Sequence, residues 1–374
     1  MAALRVAVVG CGAMGAATGW RLATRGAQVV CFDRHSPPHS LGSSHGESRI
    51  IRTAYFEGPW YVPLVQEAFQ LWRDLEQESG SHLLTMTGAL MIGPASATAV
   101  VGAQTAAIAH GLDAHVLDAN ELRRRYPAHV IAGDDVAVLD VQAGFLLPED
   151  AVSAMIDRIV ALDGEVRRGV VVKDVSPHAE GVVVATDETR ETFDAVVIAA
   201  GPWTSELFPL PLSVERQVMA WFEIEADGAG RITPERFPVF IRETDGVGVY
   251  GMPTLDGTSL KIARHHGGEL TDPQTIRREV TDAELDPLRT FATTYLRGVT
   301  TRVTRSAVCM YTNTPDEDFV LDLHPDDPRI VVISACSGHG FKFAPVVGDI
   351  AADLVSYGRT VRDISRFSAS RFSL

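Results

Sequence analysis

The chain has 374 residues, of which 46% are hydrophobic and 22% are charged, and it carries a formal net charge of -15 at pH 7. A chain of this length can bury a large core and is expected to divide into two domains, and its composition is typical of a globular protein. The charge argues against nucleic acid or an anionic membrane as a partner, because both are bound through basic surfaces. No apolar run has the length of a membrane span and no signal core follows Met1, so we expect a cytoplasmic protein.

The spacing of cysteines and histidines argues against a metal centre. The cysteines lie far apart and form no CxxC motif: Cys11, Cys31, Cys309 and Cys336. Neither a zinc site nor a disulfide framework is therefore indicated, and Cys31 and Cys336 are expected to be buried in apolar strands. The histidines also lack ligand spacing, since the adjacent His265 and His266 would lie on opposite faces of a strand. We expect no metal.

A dinucleotide fingerprint begins the chain. A β-branched run at residues 4–9 precedes the sequence GCGAMG, small residues at helical spacing follow, and a second strand ends at Asp33. Glycines at these positions allow a tight turn and a close approach of the backbone to a pyrophosphate, and the acid accepts a hydrogen bond from a ribose hydroxyl. Asp33 disfavours NADP but does not separate NAD from FAD. The motif residues expected to contact the dinucleotide are Gly10, Gly12, Ala13, Met14 and Gly15.

Two further α/β blocks follow later in the chain. A helix is predicted from Pro148 and a buried strand at residues 195–200, and another buried strand at 330–335 leads into a glycine turn and a helix. Between the blocks lie helix-like stretches, one near 96–110 and one capped by Asp118, and strand-like runs at 218–223, 247–251 and 259–263. The pattern predicts a discontinuous Rossmann-like α/β domain with an inserted α+β substrate domain. The predicted boundaries are 1–85, 147–212 and 318–374 for the nucleotide domain, and 86–146 and 213–317 for the substrate domain.

Seven segments, taken in order, resemble the monomeric sarcosine oxidase and N-methyltryptophan oxidase family of flavoproteins, which are FAD-dependent amine oxidases of the D-amino-acid-oxidase-like superfamily. The segments span nearly the whole chain. They are the GCGAMG motif with Asp33, residues 42–52 (GSSHGESRIIR), 55–63, 260–262 (LKI), 307–311 (AVCMY), 315–319 (PDEDF) and 337–343 (SGHGFKF).

The resemblance implies FAD as the cofactor, attached through a thioether from Cys309 to the flavin 8α carbon. Without the resemblance, a cysteine beside Met310 would be interpreted as a buried strand residue. Pro202 departs from the Gly-Ala-Trp turn that the family has near the flavin. The other residues expected to contact FAD are Arg34, Ser43, Ser44, His45, Arg49, Val172, Gly201, Trp203, Gly338, His339, Gly340, Phe341 and Lys342.

The resemblance also implies a substrate site. Arg52 and Lys342 look like the pair that binds a substrate carboxylate, although Arg52 alone would be interpreted as a surface ion pair. Tyr250, Glu57 and Ser48 match positions beside the substrate, and Ser48 stands where the family often has threonine. Side-chain specificity is expected to depend on walls such as residues 240–242, whose geometry does not follow from spacing.

Lys261 lies in an otherwise apolar strand and resembles the lysine that activates oxygen. An ammonium group in a site of low dielectric stabilises the anion formed when O₂ accepts an electron, whereas a lysine with its stem packed at a strand end is the alternative interpretation. The remaining residues with implied catalytic roles would orient the substrate and tune the flavin, without serving as a dedicated base: His265, Arg49, His45 and Tyr311.

The resemblance therefore implies an oxidase of secondary α-amino acids that uses O₂ and releases hydrogen peroxide. An N-methylated substrate would give an imine that hydrolyses to formaldehyde and the primary amino acid. The alternatives are an oxidase of pipecolate, proline or another cyclic amino acid, and a dehydrogenase with a different electron acceptor. A nucleotide-binding module without catalysis would leave Cys309, Lys261 and Lys342 unexplained as a set. We expect a monomer whose partners are a small secondary amine and O₂.

Overall fold

The computed structural model describes residues 3–226 and 228–372. Within these residues, the strands in chain order are β1 (Arg5–Val9), β2 (Gln28–Asp33), β3 (Arg49–Ile51), β4 (Leu84–Met86), β5 (Ala89–Pro94), β6 (Ala114–Leu117), β7 (Asp135–Asp140), β8 (Gly144–Leu146), β9 (Glu165–Arg168), β10 (Val172–His178), β11 (Gly181–Thr186), β12 (Arg190–Phe193), β13 (Ala195–Ile198), β14 (Ser213–Ile224), β15 (Val239–Thr244), β16 (Val247–Gly251), β17 (Ser259–His265), β18 (Glu269–Thr271), β19 (Val299–Asn313), β20 (Val320–His324) and β21 (Asp327–Ser334).

The α-helices of the same residues are α1 (Ala13–Thr24), α2 (Val62–Ser79), α3 (Thr98–His110), α4 (Ala119–Arg125), α5 (Pro148–Ala161), α6 (Asp282–Tyr295) and α7 (Ala344–Tyr357). Short 3-10 helices lie at Pro59–Tyr61, Gly201–Glu206, Ala229–Arg231, Phe341–Phe343, Ser365–Phe367 and Ala369–Arg371. The predicted helix starts at Pro148 and Asp118 are confirmed; the Asp118 carboxylate accepts the N–H groups of Asn120 and Glu121, both at 2.8 Å. None of the helices described is long and apolar enough to cross a bilayer.

A six-stranded sheet forms the first core, with strand order β20-β21-β13-β1-β2-β9. All its neighbours are parallel except β20, which pairs antiparallel to β21 at one edge. Successive residues of a strand point to opposite faces. Val6 and Val8 accordingly pack against α1, α2, α5 and α7, whereas Ala7 and Val9 pack against the antiparallel meander β10-β11-β12. Both faces of the sheet are covered, which explains its continuous apolar strands.

A nine-stranded sheet forms the second core. Its order is β18-β14-β17-β16-β15-β5-β7-β6, and β19 pairs along the other edge of β14. On one face, Phe222, Phe240 and Ile262 pack against the apolar sides of α4 and α6. The opposite face bears α3 at one end and is turned toward the six-stranded sheet at the other. A small sheet, β3-β8-β4, lies between these two parts of the fold.

The predicted fold class is confirmed, because a Rossmann-like parallel sheet is combined with a mixed sheet and its helices. The strands of the six-stranded sheet come from residues 1–85, 147–212 and 318–374, and those of the nine-stranded sheet come from 86–146 and 213–317. This distribution supports the predicted division into domains, whose boundaries stay a proposal.

His129 is an unusual member of the second core. Its side chain is buried, its ring stacks on Phe237 at 4.6 Å between centroids, and the edge of Phe240 lies 5.0 Å away. Neither ring nitrogen has a hydrogen-bond partner among the described residues. Burial, together with the positive charge of Arg242, lowers the pKa of His129 to about 3.

Replacing His129 with leucine should therefore stabilise the protein more at pH 5 than at pH 7. The folded state keeps the imidazole neutral while the unfolded chain binds a proton below its ordinary pKa, so this group's contribution to stability is lost as pH falls from about 6.5 toward 3. The gain of the variant over the parent should grow by about 2 kcal/mol between pH 7 and pH 5, measured by denaturant unfolding. Phe291→Leu, in the same core, is the control, because it should destabilise equally at both pH values. A gain for His129→Leu that does not change with pH would contradict the assignment.

Candidate active site

The fingerprint turn is fixed by two glycines that tolerate no side chain. Gly10 has a φ of +93°, and a Cβ atom there would lie 2.4 Å from the Ala199 carbonyl oxygen. A Cβ atom on Gly15 would lie 1.7 Å from the Gly10 carbonyl oxygen. These contacts bring α1 directly onto the end of β1.

The N-terminus of α1 opens into a cleft. At Gly12, the N-cap, an added Cβ atom would meet only the Ser44 Oγ, at 3.5 Å, and that hydroxyl accepts the Ala13 N–H at 3.1 Å. Asp33 ends β2 and accepts the N–H groups of Cys11 and His35, both at 2.8 Å. Burial opposes its ionisation, but hydrogen bonds from His39, His35 and Cys11 hold the pKa of Asp33 below its usual range. A free helix N-terminus beside an ionised carboxylate fits the pyrophosphate and ribose of a dinucleotide.

The cleft runs between the two large sheets and brings together most of the predicted site residues. Those that line it are Gly10, Gly12, Ala13, Met14, Asp33, Arg34, Ser43, Ser44, Arg49, Arg52, Glu57, Val172, Gly201, Trp203, Tyr250, His265, Cys309, Tyr311, Gly338, His339, Gly340, Phe341 and Lys342. Four predicted residues lie behind this lining instead. They are Gly15, which packs on the turn, and the buried side chains of His45, Ser48 and Lys261.

The register of β14 places the site on one face of the nine-stranded sheet. Residues directly opposite each other in an antiparallel pair share a face. Gln217 of β14 lies opposite Cys309, Glu215 opposite Tyr311, and Trp221 opposite Lys261. Because successive side chains of β14 point to opposite faces, its even-numbered residues, such as Ala220 and Phe222, point into the core on the other side.

Cys309 lies under a guanidinium group. Arg49 Nη2 donates to the Cys309 Sγ at 3.5 Å and to the Ser43 carbonyl at 3.0 Å, and Nη1 donates to the Ser48 carbonyl at 2.9 Å. Burial alone would lower the pKa of Arg49, but the nearby Cys309 and Tyr250 have a larger effect in the opposite direction. The pKa of Arg49 is therefore raised, and the group stays charged. The guanidinium therefore places a fixed positive charge directly beside the Cys309 sulfur.

Lys261 holds the loop that carries Arg49. Its side chain is 3% exposed, and its Nζ donates to the carbonyl oxygens of Gly46 at 2.7 Å and Ser48 at 3.0 Å. The Glu149 carboxylate accepts the N–H groups of Gly46 and Glu47 from the other side, at 2.6 and 3.1 Å. Burial, and then the charge of Arg49, lower the pKa of Lys261 well below its usual range.

Arg52 is already engaged in an ion pair. Its side chain is 2% exposed, it forms a short ion pair with Glu57, and Nη1 donates to the Ala54 carbonyl at 3.0 Å. The guanidinium also lies over the rings of Tyr55 and Phe56, at 4.4 and 4.1 Å from their centroids. Burial would raise the pKa of Glu57, but Arg52 and other nearby cations lower it to about 2. A ligand carboxylate that binds Arg52 must therefore compete with Glu57.

Lys342 follows the glycine turn at the end of β21. Its Nζ donates to the His339 carbonyl at 2.5 Å and to the Tyr55 hydroxyl at 3.3 Å. Burial and the charge of Arg52 lower the pKa of Lys342 to about 7, although Glu57 acts in the opposite direction. An anionic ligand beside Lys342 would favour its charged form.

Three imidazoles and one phenol at or behind the cleft wall are neutral near pH 7. His265 Nδ1 lies 3.3 Å from the Tyr311 hydroxyl, and burial followed by the charge of His266 lowers the pKa of His265 to about 3. Burial likewise lowers the pKa of His339 to about 4 and that of His45 to about 3. Burial raises the pKa of Tyr311. These groups can accept or donate hydrogen bonds without adding charge.

The expectation for His265 and His266 was wrong. The strand β17 ends at His265, and His266 has a φ of +62°, so the two rings lie 4.3 Å apart instead of on opposite faces. Their closeness does not make a metal site, since the described residues contain no cluster of His, Cys, Asp or Glu that could hold an ion. His266 Nδ1 lies 3.4 Å from the buried Glu215 carboxylate instead.

Several cleft residues were not identified from the sequence. Gln217, Met219 and Met252 line the cleft because each shares the sheet face of Cys309 or Tyr250. Alternation within a strand could have suggested Met252, two residues after Tyr250, but strand register is not written in local sequence. Cys336 was wrongly assigned to a buried strand: β21 ends at Ser334, and the half-buried Cys336 lies in the following turn, on the cleft wall.

Comparisons with known proteins agree with this geometry. A family model described as FAD dependent oxidoreductase matches residues 5–354. The monomeric sarcosine oxidase of Streptomyces avermitilis is 38% identical, over 98% of this chain and 97% of the relative. The N-methyl-L-tryptophan oxidase of Yersinia pestis is 35% identical, over 98% of each chain.

Among solved structures, NikD, described as an unusual amino acid oxidase essential for nikkomycin biosynthesis, superposes with a TM-score of 0.86 at 26% identity and covers 98% of each chain. The resemblance predicted from the motifs is confirmed by these relatives, and the cleft fits a dinucleotide. The chain therefore belongs to the FAD-dependent oxidoreductase family, with monomeric sarcosine oxidases and N-methyl-L-tryptophan oxidases among its relatives, and its cofactor is FAD.

Proposed function

We propose that the protein is an amine oxidase that converts N-methyl α-amino acids to imines and reduces O₂ to hydrogen peroxide. The observation that carries the proposal is the meeting of Arg52, Lys342 and Cys309 in one cleft with the dinucleotide turn. The names of the relatives, sarcosine oxidase and N-methyl-L-tryptophan oxidase, support this substrate class. Hydrolysis of the imine would give formaldehyde and the primary amino acid.

The substrate carboxylate binds between Arg52 and Lys342. The pKa of Lys342 is about 7 and rises when an anion binds beside it, so Lys342 becomes charged as the carboxylate binds. Arg52 exchanges its ion pair with Glu57 for one with the substrate carboxylate. Tyr250 and Ser48 complete the substrate side, with Ser48 acting from behind the lining.

The substrate amine must be uncharged before it can be oxidised. Arg49, Arg52 and Lys342 lower the pKa of an amine held among them, because like charges disfavour protonation. His265 and Tyr311 are neutral and orient the substrate through hydrogen bonds, and the buried His45 is neutral as well. Bound FAD accepts the hydride equivalent and passes the electrons to O₂.

Cofactor contacts follow the same geometry. Gly10, Gly12 and Asp33 would hold the pyrophosphate and ribose. Cys309 would attach the flavin through a thioether; the bond replaces one hydrogen of the thiol and one of the 8α methyl group, and the two electrons pass through the flavin to O₂. The other contacts come from the groups proposed from the sequence that line the cleft, among them Arg34, whose guanidinium lies 4.4 Å from the Trp203 ring centroid. We propose a monomer in the cytoplasm; the word monomeric in the names of relatives supports the first part.

Oxygen reduction is assigned to Lys261, which lies behind the cleft lining. Its Nζ is held by the Gly46 and Ser48 carbonyls, and its ammonium form would stabilise the anion produced when O₂ accepts electrons from bound FAD, in a site of low dielectric.

The proposed activity should appear as peroxide released in air by the purified yellow protein. The substrates to compare are sarcosine, N-methyl-L-tryptophan, pipecolate and proline, each beside its primary-amine counterpart. We expect peroxide with an N-methyl amino acid and none with its primary counterpart. Peroxide from pipecolate or proline alone would move the assignment to cyclic amino acids. Flavin bleaching without peroxide would identify a dehydrogenase.

Covalent attachment predicts that acid-precipitated protein stays yellow and that Cys309→Ser gives a colourless pellet with a yellow supernatant. Serine lacks the thiolate that forms the thioether. Cys336→Ser is the matched control, because Cys336 also lines the cleft and should leave the pellet yellow. A colourless pellet from the Cys336 variant and a yellow pellet from the Cys309 variant would contradict the proposal and assign the thioether to Cys336.

Replacing Lys261 with methionine should slow the reoxidation of the reduced flavin by O₂ by roughly a hundredfold or more. Flavin reduction by substrate under nitrogen should change much less, because the ammonium acts on the developing oxygen anion. Stopped-flow absorbance measures both steps separately. Lys173→Met, at an exposed position, should alter neither step. Equal slowing of both steps would argue for a structural role of Lys261 through residues 46–48.

A further inference from the structure

One wall of the cleft is apolar. On the site face of the nine-stranded sheet, Ile241 of β15 lies directly opposite Tyr250 of β16, and Met252 follows two residues later. Opposite residues share a face, and so do residues two apart, so these side chains lie together. Ile241, Tyr250 and Met252 all line the cleft and belong to one cluster, against which Ile50 also packs.

The neighbours of Ile241 turn away from the cleft. Phe240 packs in the second core beside His129, and Arg242 is buried in an ion pair with Asp135. The sequence suggested residues 240–242 as a specificity wall. Of these three residues, Ile241 alone lines the cleft. Its contribution is therefore an aliphatic surface and not a guanidinium or an aromatic ring.

The wall lies next to the carboxylate-binding end of the cleft. Arg52 stacks on Phe56, and Phe56 packs against the same cluster as Ile50, Ile241 and Met252. A substrate held by its carboxylate at Arg52 therefore has this wall within reach of the groups attached to its α-carbon.

No unpaired carboxylate faces this wall among the residues that the structure describes. The carboxylates that line the cleft are those of Asp33, Glu57 and Glu206. Glu57 is bound by Arg52, and Glu206 pairs with Arg34, next to Asp33 at the dinucleotide end. A cationic substrate side chain placed against Ile241 and Met252 would lose its hydration without gaining a partner.

We infer that the preferred substrate is an N-methyl amino acid whose α-carbon bears an apolar aliphatic side chain, bound against Ile50, Ile241 and Met252. The inference rests on the proposed function and specifies its substrate class. Each methylene buried against the wall should raise kcat/KM roughly fourfold.

The test is kcat/KM for peroxide release from sarcosine, N-methyl-L-alanine, N-methyl-L-leucine and Nα-methyl-L-lysine. We expect a rise from sarcosine to the leucine derivative of at least roughly tenfold, and a value for the lysine derivative below that of the leucine derivative. Turnover of sarcosine with no rise along the series, or a lysine derivative as good as the leucine one, would overturn this inference and leave the proposed function standing. Absence of peroxide with every member would overturn both.

A pair of variants tests the wall itself. Ile241→Ala should lower the ratio of kcat/KM for N-methyl-L-leucine to that for sarcosine by roughly tenfold, because the side chain loses its contacts. Val249→Ala, on the opposite face of β16 and directly across from Arg242, is the matched control and should leave the ratio unchanged. Flavin absorbance and Tm verify that both variants fold. An unchanged ratio in Ile241→Ala would remove Ile241 from the substrate wall.

Discussion

The pairing of β14 with β17 and β19 is the constraint on which the site depends. A strand offers every second side chain to one face, so a fixed register decides simultaneously which residues enter the cleft and which enter the core. Cys309, Tyr311 and Lys261 reach the site face through this pairing, while Phe222 and Ile262 stabilise the sheet from behind. A slip of one residue would exchange the two sets, so the burial of the second core also holds the catalytic geometry.

Burial of charge is the second determinant. Arg52, Lys261 and Lys342 are buried and Arg49 is half-buried in or behind the wall of the cleft, in a chain whose formal net charge is -15. Each is stabilised by carbonyl oxygens, by a carboxylate or by an aromatic face. The arrangement concentrates basic groups where the proposed binding of a substrate carboxylate and the proposed reduction of oxygen would need positive charge.

The parts of the fold that depend on local residue types could be predicted from the sequence. Gly15 is required by a close backbone contact within a single strand-turn-helix unit, and Asp118 caps the helix that begins at the next residue. Other features depend on the three-dimensional path of the chain. The ion pair between Arg52 and Glu57 requires the local path of residues 52–57, the exposure of Cys336 depends on where β21 stops, and the opposition of Ile241 and Tyr250 depends on strand register. Spacing along the chain does not specify these.

The ion pair between Arg52 and Glu57 also affects which anions can bind to Arg52. A small anion such as acetate or chloride would have to displace a carboxylate tethered five residues away, whose effective concentration at the guanidinium is high. An amino acid that contacts Lys342 and the apolar wall at the same time has additional binding energy with which to displace it. In the proposed binding mode, the internal carboxylate would therefore keep small anions from occupying Arg52.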